Sequence, residues 1–181
     1  MRKFGIPALA LLLALLAASP AVAGGAGGVL QGKQRFDPQF ANYDLDTQYV
    51  GGFGYGVSDH GQRTGGFGLA FFSEPDAGRF SGGVGGVLTG QEFRIGPFEV
   101  AANLWTGIGA VAKESLLGQP DGWFVLFGQA DVEVGLAILP WWQISSYAGV
   151  QLMANLAPGD PFEGLLVYTP VIGVRMAWGG F

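Results

Sequence analysis

Residues 124–138 read FVLFGQADVEVGLAI and alternate between two kinds of side chain. The even positions are apolar or small throughout, whereas the odd positions include Gln129, Asp131 and Glu133. Successive side chains of an extended chain point to opposite faces, so a period of two is typical of a β-strand. The stretch therefore predicts a strand with one apolar face and one polar face.

The same alternation recurs in six other segments, and turn signals rich in glycine, proline and aspartate separate them. Residues 29–36 are poorly patterned and are counted as the first strand because the longest connections then fall on the outer side of an outer-membrane barrel. In the first half of the chain the apolar residues alternate mostly with glycine, and in the second half with amide, small and acidic residues. The predicted strands are residues 29–36, 49–57, 63–73, 80–88, 98–112, 124–138, 142–156 and 164–178.

Composition narrows the class of protein. The 181 residues include 33 glycines and no cysteine; 49% are hydrophobic and 13% are charged. The hydrophobic content excludes a disordered chain, and the lack of cysteine excludes a disulfide scaffold and a thiolate metal site. Fourteen acidic residues against nine basic ones, with no basic cluster, argue against nucleic acid as a partner.

The first 23 residues have the pattern of a secretory signal. Arg2 and Lys3 form its positive end, an apolar stretch follows, and residues 21–23 read AVA, a small-residue cleavage site. We therefore predict export and cleavage after Ala23. The predicted division is a signal peptide at residues 1–23 and a barrel domain at 24–181, in which 28–47 hold the first strand and first outer loop.

Alternation alone does not decide which face of a strand meets water. A soluble sandwich buries the apolar face, whereas a membrane barrel points it at lipid. In the four clearest strands the apolar face continues for seven or eight positions without a charge, which matches a hydrocarbon band about 25 Å tall. The sequence thus favours a transmembrane barrel. The alternative is a soluble periplasmic barrel or sandwich that binds a lipid or other apolar ligand.

Aromatic residues gather near the predicted strand ends, as they do in the interfacial girdles of membrane barrels. The predicted girdle consists of Tyr49, Trp123, Trp141, Trp142 and Trp178. The apolar side of every strand is expected to face outward, with the glycine and amide side turned inward. The glycines of residues 51–56 would then give space inside the lumen to the bulky Trp105 and Tyr147.

These features resemble the small bacterial outer-membrane β-barrels of eight strands. The resemblance implies an all-β, antiparallel up-and-down transmembrane barrel in the cell outer membrane, in contact with outer-membrane lipids. Members of this class usually end in an aromatic residue that the barrel-assembly machinery reads, and Phe181 corresponds to that signal. Phe181 is out of phase with the apolar Trp178, and a bulge at residues 179–180 would restore the phase.

Candidate chemistry is confined to a few charged residues. Glu99, Asp131 and Glu133 share the inward parity of neighbouring strands, and Arg175 with Lys33 or Arg35 could supply the opposite charge. Charges taken out of water need partners, so a structural ion-pair network inside the lumen is the favoured interpretation. An ion path or a proton-linked site is the alternative.

Other polar features do not form a recognisable catalytic or metal site. His60, the single histidine, lies in a predicted turn without the sequence elbow of a hydrolase. Asn42, Asp44 and Asp46 lack the glycine and glutamate of a calcium loop. We expect no cofactor and no metal, and a non-enzymatic protein that is either a structural anchor or a narrow channel for small solutes. A lipid-modifying enzyme that depends on His60 remains a further alternative.

Overall fold

The computed structural model describes residues 24–36, 45–73, 80–114, 120–156 and 166–180. They form eight antiparallel strands in one closed barrel, in which each strand pairs with the next and the last pairs with the first. The strands are β1 (Gly25–Phe36), β2 (Leu45–Val57), β3 (Gln62–Ser73), β4 (Phe80–Ile95), β5 (Phe98–Glu114), β6 (Pro120–Leu139), β7 (Trp142–Asn155) and β8 (Leu166–Gly180). The predicted all-β, eight-stranded up-and-down barrel is confirmed.

Three short turns lie at one end of the barrel, at residues 58–61, 96–97 and 140–141. The start of β1 and the end of β8 lie at this same end. The fourth strand was predicted to end at residue 88, but β4 continues to Ile95 and the chain reverses at Gly96, which has a φ of 62°. The connection to β5 is therefore shorter than the sequence predicted. Among the described residues no helix has the length and hydropathy needed to cross a membrane.

The apolar faces of β5 to β8 point outward, as predicted. The exposed side chains include Ile108, Phe124 and Ile172, which are 65%, 74% and 64% exposed. Gln129 and Gln151, on the opposite parity, are buried inside the barrel. For these four strands the polar and small residues therefore line the lumen.

For β2, β3 and β4 the predicted orientation is wrong. Tyr49, Phe53 and Tyr55 of β2 are buried in the lumen, and the glycines at residues 52, 54 and 56 lie on the opposite, outer face. The apolar residues that were expected on the outer faces of β3 and β4 also point inward; they are Phe67, Leu69, Phe71, Val84 and Leu88. An eight-stranded barrel has just enough interior for side chains. The rings of β2 and β3, together with Trp105 of β5 and Phe127 of β6, fill the volume that the amides and small residues of the other strands leave.

The inward rings form one aromatic cluster. The ring of Phe67 lies 5.1 Å from that of Trp105, nearly edge to face, and 5.6 Å from that of Phe127. Tyr49 contacts Phe71 at 5.8 Å between ring centroids. Trp105 is in the lumen as predicted, but it packs against Phe53 and Phe67 rather than against glycine.

The side chains of two tyrosines meet inside the lumen, next to a pair of glycines. Gly32 of β1 pairs with Tyr49 on one side and with Gly173 on the other, and Gly173 pairs with Tyr147. The hydroxyl groups of Tyr49 and Tyr147 meet at 2.8 Å. A Cβ atom added to either glycine would overlap these phenol groups. Glycine is therefore required here because the rings approach the backbone closely.

The pairing register is regular except at one point in β6. It shifts between Ala137 and Leu139, where β6 pairs with β7 near a short turn. The predicted bulge at residues 179–180 is absent, because β8 pairs with β1 without interruption through Gly180. Phe181 lies outside the described residues, so the assembly signal assigned to it stays a prediction.

The change Gly32→Ala should lower the free energy of unfolding by about 1–3 kcal/mol, because the new methyl group forces the Tyr49–Tyr147 pair apart in a filled interior. Chemical denaturation of the refolded barrel measures this. The matched control is Gly68→Ala on the outer face of β3, where an added Cβ has no heavy atom within 4 Å. Equal stability of the two variants would contradict the described packing.

Candidate functional site in the barrel interior

Arg63 is the centre of a buried charged cluster. It lies on β3, one residue after the turn 58–61, and its side chain is 1% exposed. Its Nε donates to Glu92 at 2.7 Å, one Nη donates to Glu133 at 2.9 Å, and the other donates to Glu99. Its guanidinium group also stacks on the ring of Tyr55 at 4.5 Å. One cation thus ties together carboxylates from three strands.

Arg175 of β8 is a second cation in the same cluster. Its two Nη atoms donate to Asp131 at 2.8 Å and to Glu133 at 2.5 Å. Its guanidinium lies 4.0 Å from the ring centroid of Tyr147 and 4.8 Å from that of Trp105. Glu133 accepts from both arginines and therefore links the two halves of the cluster.

Neutral side chains satisfy the remaining carboxylate oxygens. Asp131 accepts hydrogen bonds from three of them: Asn103 at 3.0 Å, Trp105 at 2.7 Å and Gln129 at 2.8 Å. Ser145 donates to Glu133, and Gln143 donates to Glu99 at 2.8 Å. Such full hydrogen bonding is what allows ionised groups to remain in an interior with little water.

The cluster fills the half of the lumen next to the short turns. Arg94, the most exposed member, is 27% exposed and contacts Glu92 at 3.1 Å and Glu99 at 2.8 Å. Three guanidinium groups thus face four carboxylates, those of Glu92, Glu99, Asp131 and Glu133. The charges are nearly balanced and mutually paired, and this arrangement suits holding the barrel walls together.

The structure brings together the four residues that the sequence placed in a lumen network. Glu99, Asp131, Glu133 and Arg175 are all buried and lie within one set of hydrogen bonds. The other suggested cations do not join them: Lys33 is exposed on the outer side of β1, and the side chain of Arg35 lies outside the described residues.

Sequence reasoning missed Arg63, Glu92 and Arg94. A usable signal was present, because Arg63 shares its parity with Phe67 and the other large apolar residues of β3. A strand face that carries both a charge and aromatic rings is expensive to expose to acyl chains. The apolar parity of β3 was therefore the inward one.

The predicted aromatic girdle is only partly at the rim. Trp141 and Trp178 are 55% and 43% exposed beside the short turns, and Trp142, half-buried, pairs with Trp178 across β7 and β8. Tyr49 was assigned to the girdle wrongly, since it is fully buried in the lumen. The side chain of Trp123 lies outside the described residues.

The remaining candidates form no reactive group. His60 lies in the exposed turn 58–61, where its backbone N–H donates to the Ser58 hydroxyl at 3.4 Å. Within the described residues no cluster of three or more histidine or acidic side chains has the geometry to hold a metal ion. Asn42, Asp44 and the side chain of Asp46 lie outside them.

The chain resembles known proteins in its fold. No family model and no curated protein matches the chain. The crystal structure of Neisserial surface protein A matches with a TM-score of 0.69 at 8% identity, over 86% of this chain and 97% of that one. The chain has the fold of the small eight-stranded outer-membrane barrels.

A second solved structure supports the same conclusion. Ail, the attachment invasion locus protein of Yersinia pestis in complex with the heparin analogue sucrose octasulfate, matches with a TM-score of 0.52 at 13% identity. The match covers 86% of this chain and 98% of Ail. At such identities the likeness concerns the fold alone.

The change Arg63→Met should lower the free energy of unfolding by about 3–5 kcal/mol, because it leaves the carboxylates of Glu92, Glu99 and Glu133 buried with fewer partners. Denaturant titration of the refolded protein measures the loss. Lys33→Met, which removes a cation from the outer face of β1, is the control and should change stability by less than about 1 kcal/mol. A loss no greater than that of the control would show that the cluster does not hold the barrel together.

Proposed function

We propose that the protein is a non-enzymatic integral barrel of the outer membrane that acts as a structural anchor, with a lumen that is filled rather than conducting. The observation that carries the proposal is the combination of a broad exposed apolar surface on the outside with ion pairs and aromatic rings on the inside. A protein surrounded by lipid can expose such a surface, whereas a soluble monomer rarely exposes a contiguous apolar patch of that extent.

The outer surface supports a membrane location. Large exposed side chains cover the strands from the end of β4 to β8 and include Phe93, Val100, Leu104, Leu126, Val132, Val134, Leu152, Ile172, Val174 and Met176. On β1 to β3 the outer face carries fewer large side chains. Val50 of β2 and Phe72 of β3 are exposed there, and glycines occupy many of the other outward positions. Closure of the sheet satisfies all backbone groups along the ladder, as a lipid environment requires.

The interior argues against the soluble carrier. A carrier of an apolar ligand needs an apolar cavity, but the apolar part of this lumen is occupied by rings in mutual contact. Phe127 contacts Phe67 and Phe71 at 5.6 and 6.1 Å, and Trp105 is 1% exposed. The same filling favours an anchor over a narrow channel, because solute would have to displace both the rings and the Arg63 and Arg175 ion pairs.

The proposal includes two partners. Acyl chains of outer-membrane lipids would contact the outer face, and the barrel-assembly machinery would recognise the C-terminal strand β8 with Phe181. Export would depend on the signal peptide at residues 1–23. We propose no enzymatic role, because His60 lies in the exposed turn 58–61 and not in the lumen with the buried carboxylates.

The purified protein, inserted into a planar lipid bilayer, should carry no stepwise ionic current, because its interior is filled. The positive control combines Phe67→Gly and Trp105→Gly, which remove two rings that meet inside the lumen, with Arg63→Gly and Arg175→Gly, which remove the two central cations of the charged cluster. This combination should open a measurable path. The matched control Phe72→Gly, on the outer face of β3, should stay silent.

Insertion is verified in the same preparation by resistance to carbonate extraction and by a shift in mobility between unheated and heated gel samples. Discrete current steps in the wild type would show that the protein is a channel and would contradict the proposal of a structural anchor. Release of the wild type from cells by osmotic shock, with no membrane-bound fraction, would show that the protein is a soluble periplasmic protein and would favour the carrier.

A further inference from the structure

A second polar group in the lumen is separate from the charged cluster. Gln34 of β1 pairs with Thr47 of β2, and Gln151 of β7 pairs with Thr169 of β8. Strands β7, β8, β1 and β2 are consecutive in the closed barrel, and Gln34 pairs across β8 with Val171, two residues from Thr169. Four inward polar side chains therefore lie on adjoining strands in the half of the lumen away from the short turns; they are called the amide layer below.

Three of the four residues in the amide layer, Gln34, Thr47 and Gln151, are buried with polar atoms that have no hydrogen-bond partner. Gln34 is 3% exposed, and Thr47 and Gln151 are each 1% exposed. Both amide atoms of Gln34, both of Gln151 and the hydroxyl oxygen of Thr47 have no hydrogen-bond partner among the described residues. Gln129, which pairs with Gln151 across β6 and β7, adds an unpaired carbonyl oxygen to the same region.

Unpaired groups of this kind are costly. A buried donor or acceptor without a partner destabilises the fold, because its hydrogen bonds to water are lost and not replaced, and buried polar side chains in proteins are nearly always satisfied by protein or ordered water. By contrast, the carboxylates of the neighbouring charged cluster are hydrogen-bonded by side chains around them. Such a concentration of unpaired atoms in one place indicates a ligand that supplies the missing partners.

The chemistry of the layer selects the ligand. Its unpaired groups are two amide nitrogens that donate, two amide oxygens that accept and one hydroxyl group, and none of them belongs to a charged side chain. Arg175, which lies on β8 with Thr169, already contacts Asp131 and Glu133. A molecule that fits must therefore be neutral, small, and able both to donate and to accept hydrogen bonds.

We propose that Gln34, Thr47 and Gln151 form an internal binding site for small neutral hydroxyl compounds, either water molecules or a short polyol. The paired hydroxyls of Tyr49 and Tyr147, which meet at 2.8 Å on the same side of the lumen, form the floor of this site. Below that floor, the charged cluster and the aromatic rings separate the site from the short-turn end of the barrel.

The test uses the full-length mature chain, refolded in detergent micelles and labelled with ¹⁵N. The side-chain amide protons of Gln34 and Gln151 should show cross-peaks to water that persist at low temperature, which indicates bound water. Addition of glycerol should then distinguish the sources: saturable shifts of the Gln34 and Gln151 amide signals indicate a polyol site, and unchanged signals indicate a water site. Absence of both water cross-peaks and glycerol shifts would overturn the proposal.

A stability measurement gives an independent readout. Gln34→Met with Gln151→Met keeps the side-chain volume but removes the polar atoms. If the amides are dry, the double variant should be at least tenfold more folded than the wild type at equilibrium, since it loses several unpaired groups; that result would contradict the site. If the amides hold a ligand, the variant should show no such gain and should lose the water cross-peaks. The matched control is Gln31→Met with Gln62→Met, which changes two exposed glutamines and should leave those cross-peaks intact.

Discussion

The structure depends on one constraint: every side chain that enters a lumen of eight strands must fit with its neighbours, and every charge that enters must be paired there. An eight-stranded barrel leaves space for side chains and little else. Two kinds of side chain fill the lumen in agreement with this constraint. Aromatic rings centred on Phe67 and Trp105 fill the middle of the lumen, and a hydrogen-bonded cluster around Arg63, Glu133 and Arg175 fills the short-turn end.

This constraint also explains the outer surface. Strands that give polar residues to the lumen, β5 to β8, show their large apolar residues on the outside. Strands that give rings to the lumen, β2 and β3, have glycine left for the outer face, because alternation forces the two sides of one strand to differ. The unequal outer surface of the barrel thus follows from the way in which the interior is filled.

The alternation of residue types along the sequence was sufficient to predict part of this structure. A period of two predicted seven of the eight strands, the lengths of the connections predicted β1, and shared parity on neighbouring strands placed Glu99, Asp131 and Arg175 in one lumen. Parity alone could not orient β2, because an alternation of tyrosine or phenylalanine with glycine is equally compatible with rings outside or inside. The burial of Tyr49 and the central place of Arg63 depend on the total volume and charge of the lumen, which are sums over strands distant in sequence.

The most direct test of which side of the strands meets acyl chains compares two single-tryptophan variants in vesicles of brominated phosphatidylcholine. One retains Trp178, which lies on the outer face, and the other retains Trp105, which is buried in the lumen; phenylalanine replaces the other tryptophans in each. Bromine on the acyl chains should quench the fluorescence of Trp178 several-fold more strongly than that of Trp105. Equal quenching, or stronger quenching of Trp105, would contradict the account.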